Sequence, residues 1–201
     1  MDAMAVACAI GRRFEGCRLG AYPDPVSGGA PWTIGWGNTC LMDGSAVRAG
    51  VRLRDEAAAD ALQRHALELI RAKLGAMVEV ELTAGEEGAL LDFAFNLGSA
   101  ALAGSTLLRE LNAGNRNGAA AEFARWGHAR VGGKLVAVPG LVRRRGFEAQ
   151  VFLGRQDPTE TARETGTGTD GAAGHAVSAA DLNAAELGRL AAGAAAGAAR
   201  A

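Results

Sequence analysis

The sequence predicts an α+β fold, mainly helical, with one small β element near its N-terminus. Three observations carry this. Apolar residues recur at steps of three and four along much of the chain, helix caps and stops punctuate those runs, and strand-like pieces fall within residues 18 to 37.

Residues 2 to 14 read as a helix that stops at Gly16. RLGAY and WTIGW then alternate like strands around PDPVSGGAP, whose prolines and paired glycines are turn chemistry. From Asp55 the residues Leu62, Ala66, Leu69, Ile70, Leu74 and Met77 define one apolar helix face, and acidic Asp55 and Glu56 suit its start. In LTAGEEGALLDFAFNLG, Thr83 and Glu86 match a capping box and Gly98 a stop, which frames a largely apolar central helix. Ser105 caps a short helix through Leu111, ending near Gly114. GAAAEFARW sets Phe123 and Trp126 on one face of another, and a last helix runs from about Leu141 to Leu153 between Pro139 and Gly154.

After Gly154 the composition changes. Residues 155 to 201 hold no Phe, Trp or Tyr and are dominated by Gly, Ala, Thr and scattered charges, so a domain over 1–154 followed by a flexible tail is expected, with at most a weak helix at 178 to 192.

A chain of 201 residues that is 49% hydrophobic supports one sizeable core. Its net charge of −1 supplies no cationic field for phosphates, which argues against nucleic acid. No window approaches the roughly 18 apolar residues of a membrane span, and MDAMAVACAIGRRF is too short and too acidic for an export signal. Synthesis and retention in the cytoplasm are expected. Cys8, Cys17 and Cys40 lack ligand spacing and read as buried free thiols, and His65, His128 and His175 are too scattered to hold a metal.

The informative segment is RFEGCRLGAYPDPVSGGAPWTIGWGNT, residues 13 to 39. A helix ending at Glu15, followed by a hairpin arm bearing Asp24, sets two carboxyl groups across a reversal of the chain. Thr33 on the returning strand is able to hold a water by its hydroxyl. Hydrolysis of a glycosidic bond needs a proton for the leaving oxygen and a nucleophile or activated water on the other face of the sugar, which two carboxyl groups supply. Alone, an acidic pair nine residues apart also describes solvated surface carboxylates.

The flanking residues discriminate. EGCRLGAYPD followed by TIGWGNT resembles the phage-type lysozymes, glycoside hydrolase family 24, and the likeness continues in order through FAFNLG, STLLRELNAGN, FARW and VPGLVRRR. The resemblance implies a small β-hairpin lobe and a helical C-terminal lobe joined by a long helix near residues 55 to 77, with the substrate cleft between. It implies an endo-acting muramidase in which Glu15 is the general acid, Asp24 activates the attacking water and Thr33 assists. Inversion is expected, with the carboxyls roughly 6.5–9.5 Å apart. Arg144, and after it Arg143, would reach the glutamate, while at least one arginine of RRR at 143 to 145 stays solvated. Tyr22 and Asn96 would line the cleft. Two departures stand out: Asn38 replaces the family's usual histidine, and the loop before Thr33 is longer by residues such as Gly28, Gly29 and Pro31. Trp32, Trp36 and Trp126 read as sugar platforms or as apolar anchors, with core favoured for Trp126.

No metal or organic cofactor is called for. The expected partner is peptidoglycan, met by a monomer once a holin-type lesion opens the membrane. Two other readings compete: a lytic transglycosylase, against which Asp24 and Thr33 in motif order speak, and a non-catalytic wall-binding module, which an intact Glu15 disfavours.

Overall fold

The computed structural model describes residues 1–23, 28–131 and 134–160. The first helix, α1 (Ala3–Phe14), is capped by Asp2, whose carboxylate accepts the Ala5 N–H at 2.7 Å. The backbone turns extended at Glu15, and β1 (Arg18–Tyr22) pairs antiparallel with β2 (Thr33–Gly35), Tyr22 opposite Thr33 and Arg18 opposite Gly35. Asp55 caps the long α2 (Glu56–Gly75). The central α3 (Ala84–Leu97) opens with the full capping box: Thr83 Oγ1 accepts from the Glu86 N–H, and Glu86 accepts from the Thr83 N–H. Then come α4 (Ser99–Ala103), α5 (Thr106–Asn112), α6 (Arg116–Glu122), a 3-10 turn (Phe123–Trp126), an antiparallel hairpin of β3 (His128–Val131) and β4 (Lys134–Ala137), and α7 (Pro139–Phe152).

Two apolar clusters explain the two-lobed shape. The large one gathers α1, α3, α5, α6 and α7 around Phe93, Leu90, Leu91, Leu107, Leu111 and Phe123. The small one consists of Ile34, Val47 and Leu62, with Ala21, Trp32, Leu41, Val51 and Leu53 packed against it. Helix α2 joins them, because Leu62 belongs to the small cluster while Leu67 and Leu74 belong to the large one. Helix α1 precedes the hairpin in sequence yet packs with the helical lobe, so Glu15 at its end stands where the lobes meet.

The α1–α3 contact is close because Gly88 has no side chain. A Cβ there would lie 2.4 Å from Val6 Cγ1 and 2.9 Å from the Ala3 carbonyl oxygen. Gly88→Val is expected to cost about 1–3 kcal/mol by overpacking. The checking measurement is a urea titration, whose midpoint should fall with little change in slope.

Several expectations change. The buried face of α2 is Ala59, Leu62, Gln63, Leu67 and Leu74, whereas Leu69 is 54% exposed; the apolar steps matched two rotations of the helix and packing selects the one holding Leu67. FARW is a 3-10 turn, not a continuation of the preceding helix. Residues three apart eclipse in that geometry, so Phe123 and Trp126 still share a face and both meet the Phe93 ring edge-on, at 5.6 and 5.3 Å. Of the three free cysteines only Cys8 is buried; Cys17 is half-buried and Cys40 exposed. Beyond Gly154, residues 155–160 form turns, and Arg13 Nη1 donates to the Glu160 carbonyl at 3.2 Å. The rest of the expected tail, with the weak helix at 178 to 192, lies outside the described residues. No helix among them is long and apolar enough to cross a membrane.

Candidate active site

Glu15 ends α1 with its side chain 12% exposed. The backbone of the turn after β2 covers one side: a Cβ on Gly37 would touch Phe95 Cε1 at 3.6 Å and Glu15 Cδ at 3.8 Å. Gly37 therefore packs between an aromatic ring and the carboxyl, at a φ of +98° that side chains rarely adopt. Behind Glu15, Arg144 Nη1 donates to Oε1 at 2.6 Å.

Arg144 is fully buried, and its fork is fixed from α3, with Nε donating to Asp92 Oδ2 at 3.0 Å and Nη2 to Oδ1 at 2.8 Å. The carboxylate of α3 thus aims the guanidinium of α7 at the acid of α1. Burial works against the Arg144 cation, but Asp92 and Glu15 outweigh it and raise its pKa. Glu15 feels the opposite balance: burial pushes its carboxyl above the ordinary range, and Arg144 only partly pulls it back. That outcome favours the proton-bearing form a general acid requires.

A second buried arginine lies beside the first. Arg145 Nη2 donates to Asn96 Oδ1 at 2.8 Å and sits 2.7 Å from Glu148 Oε1, with its guanidinium over the Phe93 ring. Asn96, expected at the cleft, is instead buried as the acceptor for Arg145. Arg143 is exposed, the solvated arginine of the three, and takes no part in this cluster.

Thr33, the first residue of β2, is 4% exposed, and its hydroxyl has no hydrogen-bond partner among the described residues. Tyr22 faces it across the ladder with the Arg18 guanidinium over its ring at 4.5 Å. Asp24, two residues beyond Tyr22, lies outside the described residues. Asn38 is buried and donates from Nδ2 to the Leu62 carbonyl at 3.3 Å, a neutral tie from the turn to α2. Trp36 donates its indole N–H to Asp60 at 2.8 Å, the same oxygen that pairs with Arg12 at 2.7 Å, so this tryptophan anchors hairpin, α1 and α2 together.

Sequence reasoning missed Asp92, Glu148 and the burial of Arg145. One signal was present: Asp92 is the single charge in ALLDFAFNL, on a helix otherwise read as core.

Comparison with known proteins gives the family. A family model described as phage lysozyme matches residues 12–148. The chain is 36% identical over 141 residues to an endolysin of Acyrthosiphon pisum secondary endosymbiont phage 1, covering 70% of this chain and 90% of the relative. Two solved structures superpose at 33% identity. They are the endolysin from Escherichia coli O157:H7 phage FAHEc1, with a TM-score of 0.65 over 74% of this chain and 90% of that one, and the muramidase domain of SpmX from Asticaccaulis excentricus, with 0.64 over 74% and 95%. The matched span runs from just before Glu15 to Glu148 and the relatives are covered almost in full: the chain belongs to the phage lysozyme family and is a glycosidase that hydrolyses peptidoglycan.

Proposed function

We propose that the chain is an endo-acting N-acetylmuramidase that cleaves the β-1,4 bond between N-acetylmuramic acid and N-acetylglucosamine, with Glu15 as general acid. The observation that carries this is the Glu15 carboxyl: nearly buried, raised in proton affinity, and held by an arginine that is itself fixed from behind. Glu15 delivers its proton to the leaving glycosidic oxygen as the bond to C1 breaks. Water attacks C1 from the opposite face and gives up a proton to Asp24, while the Thr33 hydroxyl supplies the water with a hydrogen-bond partner. A water placed between two carboxyls yields inversion. Tyr22 lines the sugar side of the hairpin, Arg144 positions the acid, and Asn96 acts at one remove by holding Arg145.

The physiological reading is lysis of a phage host: a monomer made in the host cytoplasm that reaches the wall after a holin-type lesion. No cofactor enters this chemistry. Residues 155–201 are assigned to a tail outside the catalytic domain of 1–154.

Digestion of purified peptidoglycan tests the proposal. Mass spectrometry should find fragments with reducing N-acetylmuramic ends that carry one added water, and proton NMR should detect the α-anomer first. Anhydromuramic ends would identify a lytic transglycosylase instead, and intact glycan would leave a binding module. Thr33→Ala should lower kcat about tenfold to a hundredfold with a smaller change in KM, as expected when a group acts mainly in the transition state.

A further inference from the structure

The turn that covers Glu15 and the helix that carries Glu15 belong to different lobes, so the distance between them must be set by a contact that crosses the junction. The turn after β2 is a closed unit: Ile34 and Asn38 exchange backbone hydrogen bonds, each 2.9 Å long, with Trp36 and Gly37 between them. Two contacts seat this turn on α2. Asn38 donates to the Leu62 carbonyl, and a Cβ on Gly35 would meet the Ala59 side chain at 3.3 Å. Neither reaches α1.

Asp60 of α2 does. Its Oδ1 accepts the Trp36 indole N–H at 2.8 Å and lies 2.7 Å from Arg12 Nη2, while the Arg12 guanidinium sits over the Trp36 ring at 5.2 Å. This triangle joins the hairpin turn, α2 and the last turn of α1. Both of its outer members adjoin the acid. Trp36 precedes Gly37, whose Cβ would lie 3.8 Å from Glu15 Cδ, and Arg12 stands one helical turn before Glu15, whose N–H donates to the Gly11 carbonyl at 2.9 Å. We infer that Asp60 is a positioning residue: it clasps the hairpin turn to the end of α1 and so keeps the Gly37 backbone pressed over the Glu15 carboxyl, excluding water from that side of the acid. The inference rests on the reading of Glu15 as the general acid.

Exposure and charge fit this role. The Arg12 and Asp60 side chains are 38% and 40% exposed, so their ion pair adds little to stability, and what it supplies is geometry. Burial is the largest influence that raises the proton affinity of Glu15, so a turn that lifts away returns the carboxyl toward its ordinary range. The charges that bear on Glu15 from the elements packed against it are Arg144 and Arg145 of α7 and Asp92 of α3. Around the clasp, Glu56 and Arg64 of α2 and Arg12 of α1 face the Cys8 and Cys17 thiols, which burial pushes up and which stay neutral from acid to neutral pH.

The test follows Glu15 itself. Protein labelled with carbon-13 at the glutamate carboxyls gives an NMR resonance assigned to Glu15 by its loss in Glu15→Gln, and the titration midpoint of that resonance is read without any activity. Asp60→Asn and Asp60→Ala carry the same charge, but only the amide keeps an oxygen for Trp36 and Arg12. The midpoint in Asp60→Ala should fall below that in Asp60→Asn by about one pH unit, the spread that folded surroundings impose on glutamates. The alkaline limb of kcat/KM, which reports deprotonation of the free enzyme's acid, should move with it. Trp36→Phe changes no charge and keeps a ring beneath Arg12, yet deletes the indole donor, and should shift the midpoint in the same direction. Equal midpoints for the two Asp60 variants would overturn the inference, as would a native midpoint in Trp36→Phe, because either leaves only the field of the Asp60 charge to act. Midpoints that moved as expected while the limb stayed in place would uphold the clasp and remove Glu15 from the role of acid.

Discussion

Glu15→Gln is expected to reduce the rate of peptidoglycan cleavage by at least about two to three orders of magnitude, the scale of a lost general acid. The amide keeps the shape and accepts from Arg144, so the protein should fold. The pH dependence of its stability gives a second signature. The folded-state pKa of Glu15 lies above its unfolded value, so its contribution to stability is fully present below about pH 4.5 and is lost as pH rises through the folded-state pKa. A glutamine does not titrate. The stability of Glu15→Gln relative to the native protein should therefore improve from mildly acid to neutral pH, which chemical denaturation at several pH values will measure. Turbidity clearing of permeabilised Gram-negative cells at the native rate by this variant would remove Glu15 from the mechanism.

Arg144→Met should have the largest effect on stability. Methionine fills much of the volume but strands Asp92, which accepts two hydrogen bonds from the guanidinium, and leaves Glu15 without its cation. Breaking a buried ion network by deleting one partner costs about 3–5 kcal/mol. For a chain of this size that corresponds to a melting temperature lower by roughly 6–20 °C. Activity should fall as well, and the residual activity should persist to higher pH, because Arg144 no longer opposes the burial of Glu15. Arg144→Lys should recover only a fraction of the stability, since an ammonium cannot engage both oxygens of Asp92 in the manner of a planar fork. An unchanged melting temperature for the methionine variant would mean that the cluster is held by packing alone.

Local chemistry made much of this fold legible. Thr83 with Glu86, and Ser105, cap the helices that their positions imply, because a cap depends on residues three apart; Asp55, read as an acidic helix start, caps α2, and Asp2 caps α1 without having been singled out. The hairpin over 18 to 35 was equally readable from its turn residues. The β3–β4 hairpin was missed although Gly132 and Gly133 separate a pair of short alternating runs, and α4 was missed because SAALA carries little amphipathic signal. Leu69 misled because an alanine-rich helix offers several weakly apolar faces, and only its neighbours choose among them.

At the site, the motif directed attention to Glu15 and Arg144, which the fold brings into contact across 129 positions of sequence. It gave no access to Asp92 and Glu148. Their placement follows from the packing of α3 against α7, and nothing in an isolated LLDF or RRRGFE says that Asp92 turns toward Arg144 and Glu148 toward both Arg144 and Arg145. Asn96 shows the converse: a position within a family segment was read as facing substrate, when the nearest donor is a buried guanidinium.

The small cluster of Ile34, Val47 and Leu62 has a dynamic consequence. Three fully enclosed side chains cannot maintain a cooperative unit of their own, so the hairpin borrows its persistence from the helix that carries Leu62. Amide hydrogen exchange should therefore reveal a low-energy opening of residues 18 to 23 and 28 to 53 that leaves α1, α3 and α7 protected. The hairpin would be the first region of the enzyme to breathe, while Glu15, beside which its Gly37 packs, stays fixed to the slowest-exchanging one.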